Sequence, residues 1–90
     1  MKRAALDQEE LLIKGLRERN SVIIKKIYGD SFDRLFRSFS KYNVSEEEMK
    51  DAFQDALLII YRQVQKDDFT LTSKFHTYLY GVCHNVIRNK

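Results

Sequence analysis

The side chains of this chain best suited to acid–base or covalent chemistry are His76, Cys83 and His84. Two imidazoles can share one metal ion when they stand on adjacent turns of a helix, three or four residues apart. His76 and His84 are eight residues apart, which is two turns, and neither an H-E-x-x-H pattern nor a second cysteine accompanies them. The pattern points away from an enzyme, a metal centre or a bound cofactor. Cys83 falls on an apolar stripe, where a thiol serves as a small core residue rather than as a nucleophile.

The distribution of charge is more informative. Residues 46–55 hold Glu46, Glu47, Glu48, Asp51 and Asp55 against the single base Lys50. From Thr70 to Lys90 there is no carboxylate, while Lys74, Arg88 and Lys90 supply positive charge beside His76 and His84. Tyr78, Tyr80 and Asn85 are interleaved with those bases. Rings beside cations are how proteins hold the unpaired bases of single-stranded nucleic acid, and carboxylates favour a basic protein partner.

The elements that must position these groups are helices. The 90 residues include no proline and three glycines, and one domain of this length buries a single modest core. Long uninterrupted helices have this composition, whereas sheets with tight turns do not. The expectation is an all-α, compact bundle of four helices, at about 8–19, 21–42, 46–65 and 73–89, forming a single domain over 1–90. The lone cysteine excludes an internal disulfide and fits a cytoplasmic setting. Asp7, Gln8, Glu9 and Glu10 stand where the apolar core of a signal peptide would be, and no run is apolar enough to span a membrane.

Asp7 and Glu10 have capping-box spacing, with Leu6 and Leu11 as a hydrophobic staple, which predicts a helix start at Gln8 carrying Leu12, Ile13 and Leu16 inward. Ser21 is a candidate cap for a longer helix whose Ile24, Ile27, Tyr28, Leu35, Phe36 and Phe39 recur at helical spacing. Gly29 and Asp30 make a weak point that a long stripe can absorb, with two shorter helices as the alternative. Ser45 and Glu48 form a second capping box with Val44 and Met49 as its staple, and Asn43 marks the preceding stop. Met49, Ala52, Phe53, Ala56, Leu57, Ile60 and Val64 then make one buried face. Residues 66–73 read as a loop, after which Thr72 or Ser73 caps a last helix with Phe75, Leu79, Val82, Cys83 and Val86 inward.

This pattern leaves two outward faces. Glu46 to Glu48 are ordinary first-turn acids that complement the helix dipole. Asp51, Gln54 and Asp55 lie beyond that turn, and Leu58, Ile59 and Arg62 continue on the side away from the core. Apolar residues beside carboxylates suit a protein partner, although scattered surface apolars are also common. In the last helix the aromatics suit either base stacking or core packing.

The segment Lys74-Phe75-His76-Thr77-Tyr78-Leu79-Tyr80-Gly81-Val82-Cys83-His84-Asn85 resembles the S-F-x-T/A-W-L-Y-x-I-A-x-N signature in region two of extracytoplasmic-function sigma factors. Phe75, Thr77, Leu79, Tyr80 and Asn85 match outright, while Tyr78, Val82 and Cys83 stand in for tryptophan, isoleucine and alanine. Upstream, Asp51-Ala52-Phe53-Gln54-Asp55-Ala56-Leu57-Leu58-Ile59-Ile60-Tyr61 is similar to that family's D-L-V-Q-E-V-F-L-x-x-W element. Glu9 to Arg17 and Tyr28 to Phe36 resemble its first and second helices, so the likeness extends over almost the whole chain.

What the resemblance implies is a transcription initiation domain that makes and breaks no bond. Asp51, Gln54, Asp55, Leu58, Ile59 and Arg62 would dock on the clamp coiled coil of the largest subunit of core RNA polymerase. Lys74, His76, Tyr78, Tyr80, Asn85 and Arg88, with the Asp67–Ser73 loop, would hold the non-template strand of the melted minus-ten promoter element. The family's helix-turn-helix domain is absent from these residues, which leads to the expectation of a longer parent protein, and an anti-sigma factor is a further candidate partner. The alternative is a helical protein-interaction module, a sigma-like adaptor or anti-activator, that uses the acidic helix and does not recognise DNA.

Overall fold

The computed structural model describes the backbone of residues 3–89 and the side chains of residues 8–89. Four helices follow one another, α1 (Arg3–Arg17), α2 (Ser21–Ser38), α3 (Glu46–Val64) and α4 (Phe75–Arg88), and there is no strand among the described residues. The all-α expectation holds, and several boundaries move for local reasons.

α1 is helical from Arg3 rather than from Gln8. Asp7 therefore lies inside the helix, where it lacks the extended backbone that a capping residue needs. The run Ala4-Ala5-Leu6, made of strong helix formers, carries the helix past the predicted start. The proposed Leu6–Leu11 staple lies outside the described residues. At its other end α1 closes in a Schellman motif: Asn20 N–H donates to the Gly15 carbonyl at 2.8 Å and Arg19 N–H to that of Leu16 at 3.1 Å. Arg19 takes the left-handed conformation at φ 57° that glycine usually fills there.

Asn20 then also starts α2. Its side-chain oxygen accepts from Val22 N–H at 2.9 Å and Ile23 N–H at 3.3 Å, so Asn20, not Ser21, is the cap. The corner needs no loop because one residue ends the first helix and caps the second. It is also tight, since a Cβ added to Gly15 would sit inside the Ile23 side chain.

α2 runs unbroken through Gly29 but ends at Ser38, short of the predicted residue 42. A 3-10 turn, Ser40–Tyr42, replaces its last turn, and the Ser40 hydroxyl donates to the Arg37 carbonyl at 2.9 Å. Serine competes with helix continuation through such local bonds. Asn43, at φ 62°, ends the turn as predicted. The predicted capping box of α3 is present: Ser45 Oγ accepts from Glu48 N–H at 3.1 Å, and Glu48 accepts from Ser45 N–H at 2.8 Å.

α3 is the central element of the bundle. Met49, Ala52, Phe53, Ala56, Ile60 and Val64 are all buried, and Leu57 is half-buried at the stripe's edge. Phe32 on α2, missing from the predicted stripe, is buried against Phe53 with ring centroids 5.7 Å apart, and Tyr28 packs on both rings. Leu35, Phe39, Leu79 and Cys83 complete the core.

Among the described residues three long-range hydrogen bonds fix the ends of the helices. Arg17 Nε–H donates to the Val64 carbonyl at 2.9 Å and Gln65 Nε2–H to the Arg17 carbonyl at 3.1 Å, tying the last turn of α1 to that of α3. A cation on an orphan carbonyl at a helix C-terminus is favourable twice over, through the bond and through the dipole. α4 is capped neither by Thr72 nor by Ser73. Lys74 occupies the cap position without a side-chain bond, and the Glu9 carboxylate from α1 accepts from Phe75 N–H instead. Among the described residues no helix is long and apolar enough to cross a membrane.

Candidate functional site

The outward side of α3 is open along its length. Asp51, Gln54, Asp55, Leu58, Ile59 and Arg62 are all exposed, with Leu58 at 51% and Ile59 at 37% exposure despite their apolar side chains. This follows from helix period: the buried positions from Met49 to Val64 take one face, and these six fall on the other. Leu58 forms a ridge between two hollows. One, of about 460 Å³, is bounded by Asp55, Ile59 and Arg62 of α3 and by Val86 and Asn89 at the end of α4. The other, of about 250 Å³, lies toward the α1–α2 corner against Leu57, Tyr61, Ile24 and Arg19. Arg19 sits over the Tyr61 ring at 5.2 Å. Lys50, the base within the acidic stretch, pairs with Glu46 at 3.7 Å.

The α4 face is less uniform. Lys74, Asn85 and Arg88 are exposed, whereas His76, Tyr78 and Tyr80 are partly buried. Tyr80 stacks on the buried Phe39 at 5.0 Å with its ring 17° from parallel, and His84 joins the same cluster with Tyr42 edge-on at 5.9 Å. Tyr80 thus spends one ring face on packing. Tyr78 meets Phe69 of the α3–α4 loop at 5.9 Å, and burial raises the titration of its hydroxyl above 10.0. Between these rings a shallow groove of about 490 Å³ runs along Thr77, Tyr78, Tyr80, Gly81, His84 and Asn85. Gly81 is exposed on that groove with nothing within 4 Å of where a Cβ would stand.

His76 and His84 face different surroundings. His84 belongs to the Phe39 cluster, whereas His76 lines a separate hollow between α1, α2 and the start of α4. Cys83 is fully buried, and burial pushes its thiol up to about 12, which suppresses the nucleophilic thiolate. The α3–α4 loop folds inward through Phe69 and Leu71, leaving a hollow of about 610 Å³ against Glu9, Ile13 and Arg17 of α1.

Sequence reasoning missed four residues that shape these surfaces. Glu9 caps α4, Gly81 opens the groove, and Lys26 and Arg34 of α2 line the His76 hollow. Lys26 and Arg34 share a helix face at a spacing of eight residues, which is legible in the sequence, but nothing in it says which helix that face meets. No protein-family model, curated protein or solved structure matches the chain.

Proposed function

We propose that this chain acts as a sigma region-two-like domain, binding core RNA polymerase through α3 and holding the melted minus-ten promoter strand through α4 and the loop before it. The observation that carries the reading is the pairing of two unlike outward faces on adjacent helices. The α3 face is acidic and apolar, the α4 face is free of carboxylates and bears rings, and a single hollow from Asp55 to Asn89 borders both helices. A protein bound on α3 would therefore hold α4 close to any DNA which that protein carries.

The mechanism is capture rather than catalysis. Opening duplex costs about 1.4 kcal/mol per base-pair step. Stacking worth about 1–3 kcal/mol per exposed base offsets that cost. Selectivity comes from polar groups such as Asn85, which lose their partner if the wrong base arrives. The setting this implies is the cytoplasm.

A protein-only adaptor is the second reading, and the inward stacking of Tyr80 on Phe39 favours it because that ring has one face fewer for a base. Fluorescence anisotropy separates the two. Labelled promoter and scrambled single strands are titrated with the chain in the presence of core polymerase, using the natural sequence and a Gln54→Ala, Asp55→Ala variant. The sigma-like reading expects preference for the promoter strand and loss of polymerase attachment in the variant. Equal binding of both strands, with polymerase attachment intact in the natural chain, leaves the adaptor.

A further inference from the structure

The hollow between α1, α2 and the start of α4 has a volume of about 310 Å³ and is lined on its polar side by Lys26, Arg34, Lys74 and His76. Two carboxylates also line it, and both are engaged. Asp30 pairs with Lys26 at 3.2 Å, and Glu9 accepts the Phe75 N–H. Among the described residues Arg34 and Lys74 make no ion pair and no side-chain hydrogen bond. With Lys26 paired to Asp30, the lining holds two further cations, Arg34 and Lys74, against the Glu9 carboxylate, which leaves a formal surplus of one positive charge.

His76 adds a donor of defined orientation. Its Nδ1 is sealed from solvent with no hydrogen-bond partner. A proton on that nitrogen would be a buried donor without an acceptor, so the neutral ring is better off with its proton on Nε2. Nε2 is the nitrogen left to reach a ligand. A third positive charge is disfavoured: desolvation first and the Arg34 guanidinium second lower the affinity of His76 for a second proton. An anion in the hollow would offset Arg34 and accept from Nε2. The floor of Leu12, Ile23 and Ile27 is apolar, which strengthens charge-assisted bonds above it.

We infer that this hollow is a phosphate-binding site, with Arg34, Lys74 and the His76 Nε2–H as its donors and Lys26 at its rim. The planar guanidinium and the compact ammonium suit the oxygens of a phosphoryl group. A backbone phosphodiester of a nucleic-acid strand and a free phosphate share this chemistry. The inference rests on the promoter-strand reading only for the source of the phosphate, not for the site.

The test is a heteronuclear NMR titration of the full chain, first with inorganic phosphate at fixed ionic strength, then with a single-stranded oligonucleotide. Phosphate is expected to shift Lys26, Arg34, Lys74 and His76 together and to move the His76 ring titration upward. Arg34→Ala should weaken phosphate association about tenfold, as loss of a charge-assisted bond implies. Lys41→Ala, which removes the same charge elsewhere, should leave it unchanged. Circular dichroism verifies that the variants fold, and Lys74→Gln replaces Arg34→Ala if that variant does not. If the oligonucleotide shifts the same residues, the phosphate belongs to a strand. If only inorganic phosphate does, the site stands and its ligand is a small phosphate. Absence of a local phosphate response, or equal weakening by Lys41→Ala, overturns the site, even where the oligonucleotide still perturbs the Tyr78–Asn85 groove.

Discussion

The same substitution, glycine to alanine, should act with opposite signs at two positions of this fold. Gly29 lies within α2, exposed, with no atom within 4 Å of a Cβ position. Its helical cost is uncompensated, and Gly29→Ala should stabilise by about 1 kcal/mol. In a domain of this size that raises Tm by roughly 4–8 °C. Gly15→Ala gains the same helix propensity but drives its Cβ into the Cβ, Cγ1 and Cγ2 of Ile23. These are the stem atoms of a β-branched side chain, so no rotamer change relieves the clash and the α1–α2 corner must open. Overpacking of this kind costs about 1–3 kcal/mol, and more where the backbone must move. The corner shares Asn20 between two caps, so opening it also strains those bonds. A net loss of about 2 kcal/mol follows, or a Tm lowered by roughly 8–16 °C. Thermal and urea unfolding followed by far-ultraviolet circular dichroism measure both. A neutral Gly15→Ala would refute the close approach of α1 and α2, and a destabilising Gly29→Ala would refute a continuous α2.

Gly81→Ala should match Gly29→Ala in stability, since its Cβ position is equally open; if a strand lies against α4, the same variant binds single-stranded DNA more weakly in anisotropy, and undiminished binding argues against that groove. Glu9→Ala removes the acceptor for Phe75 N–H and should cost about 1 kcal/mol, with the Phe75 amide losing hydrogen-exchange protection while the amides of α3 keep theirs. For His76, burial and then Arg34 lower the folded pKa below 6.5, so the unfolded chain takes the proton first. Stability is therefore full above that value and falls as pH drops through it, levelling once the folded form is protonated too. Glu9, Lys26, Asp30, Arg34 and Lys74 surround the same hollow, so His76→Gln is the control: it should flatten the difference in urea midpoint between about pH 7.5 and about pH 5.5. Cys83, with its thiol pushed up to about 12 and no exposure, should react with disulfide reagents only on unfolding, and rapid labelling of the native chain would contradict its burial.

Much of the candidate site was legible because helix period alone separates inside from outside. Once Met49, Ala52, Phe53, Ala56, Ile60 and Val64 are taken inward, Gln54, Asp55, Leu58 and Arg62 have nowhere to go but out. The aromatics of α4 were less legible. Tyr78 and Tyr80 flank the buried stripe, and whether a ring at such a boundary lies over the core or away from it depends on a neighbour in another element, here Phe69 and Phe39.

The sequence by itself determined the features set by local spacing and composition: the Ser45–Glu48 capping box, the Asn43 stop, the buried stripe of α3 and the all-helical class. Each follows from periodicity along one helix, from a local cap or from overall composition, so the sequence specifies them before any fold exists. Only the tertiary structure decided that Glu9 caps a helix 66 residues away, that Arg17 closes the end of α3, and that Arg34 shares a hollow with Lys74 and His76. Those contacts arise where helix ends and faces meet in space, and no periodicity along the chain encodes which ends will meet.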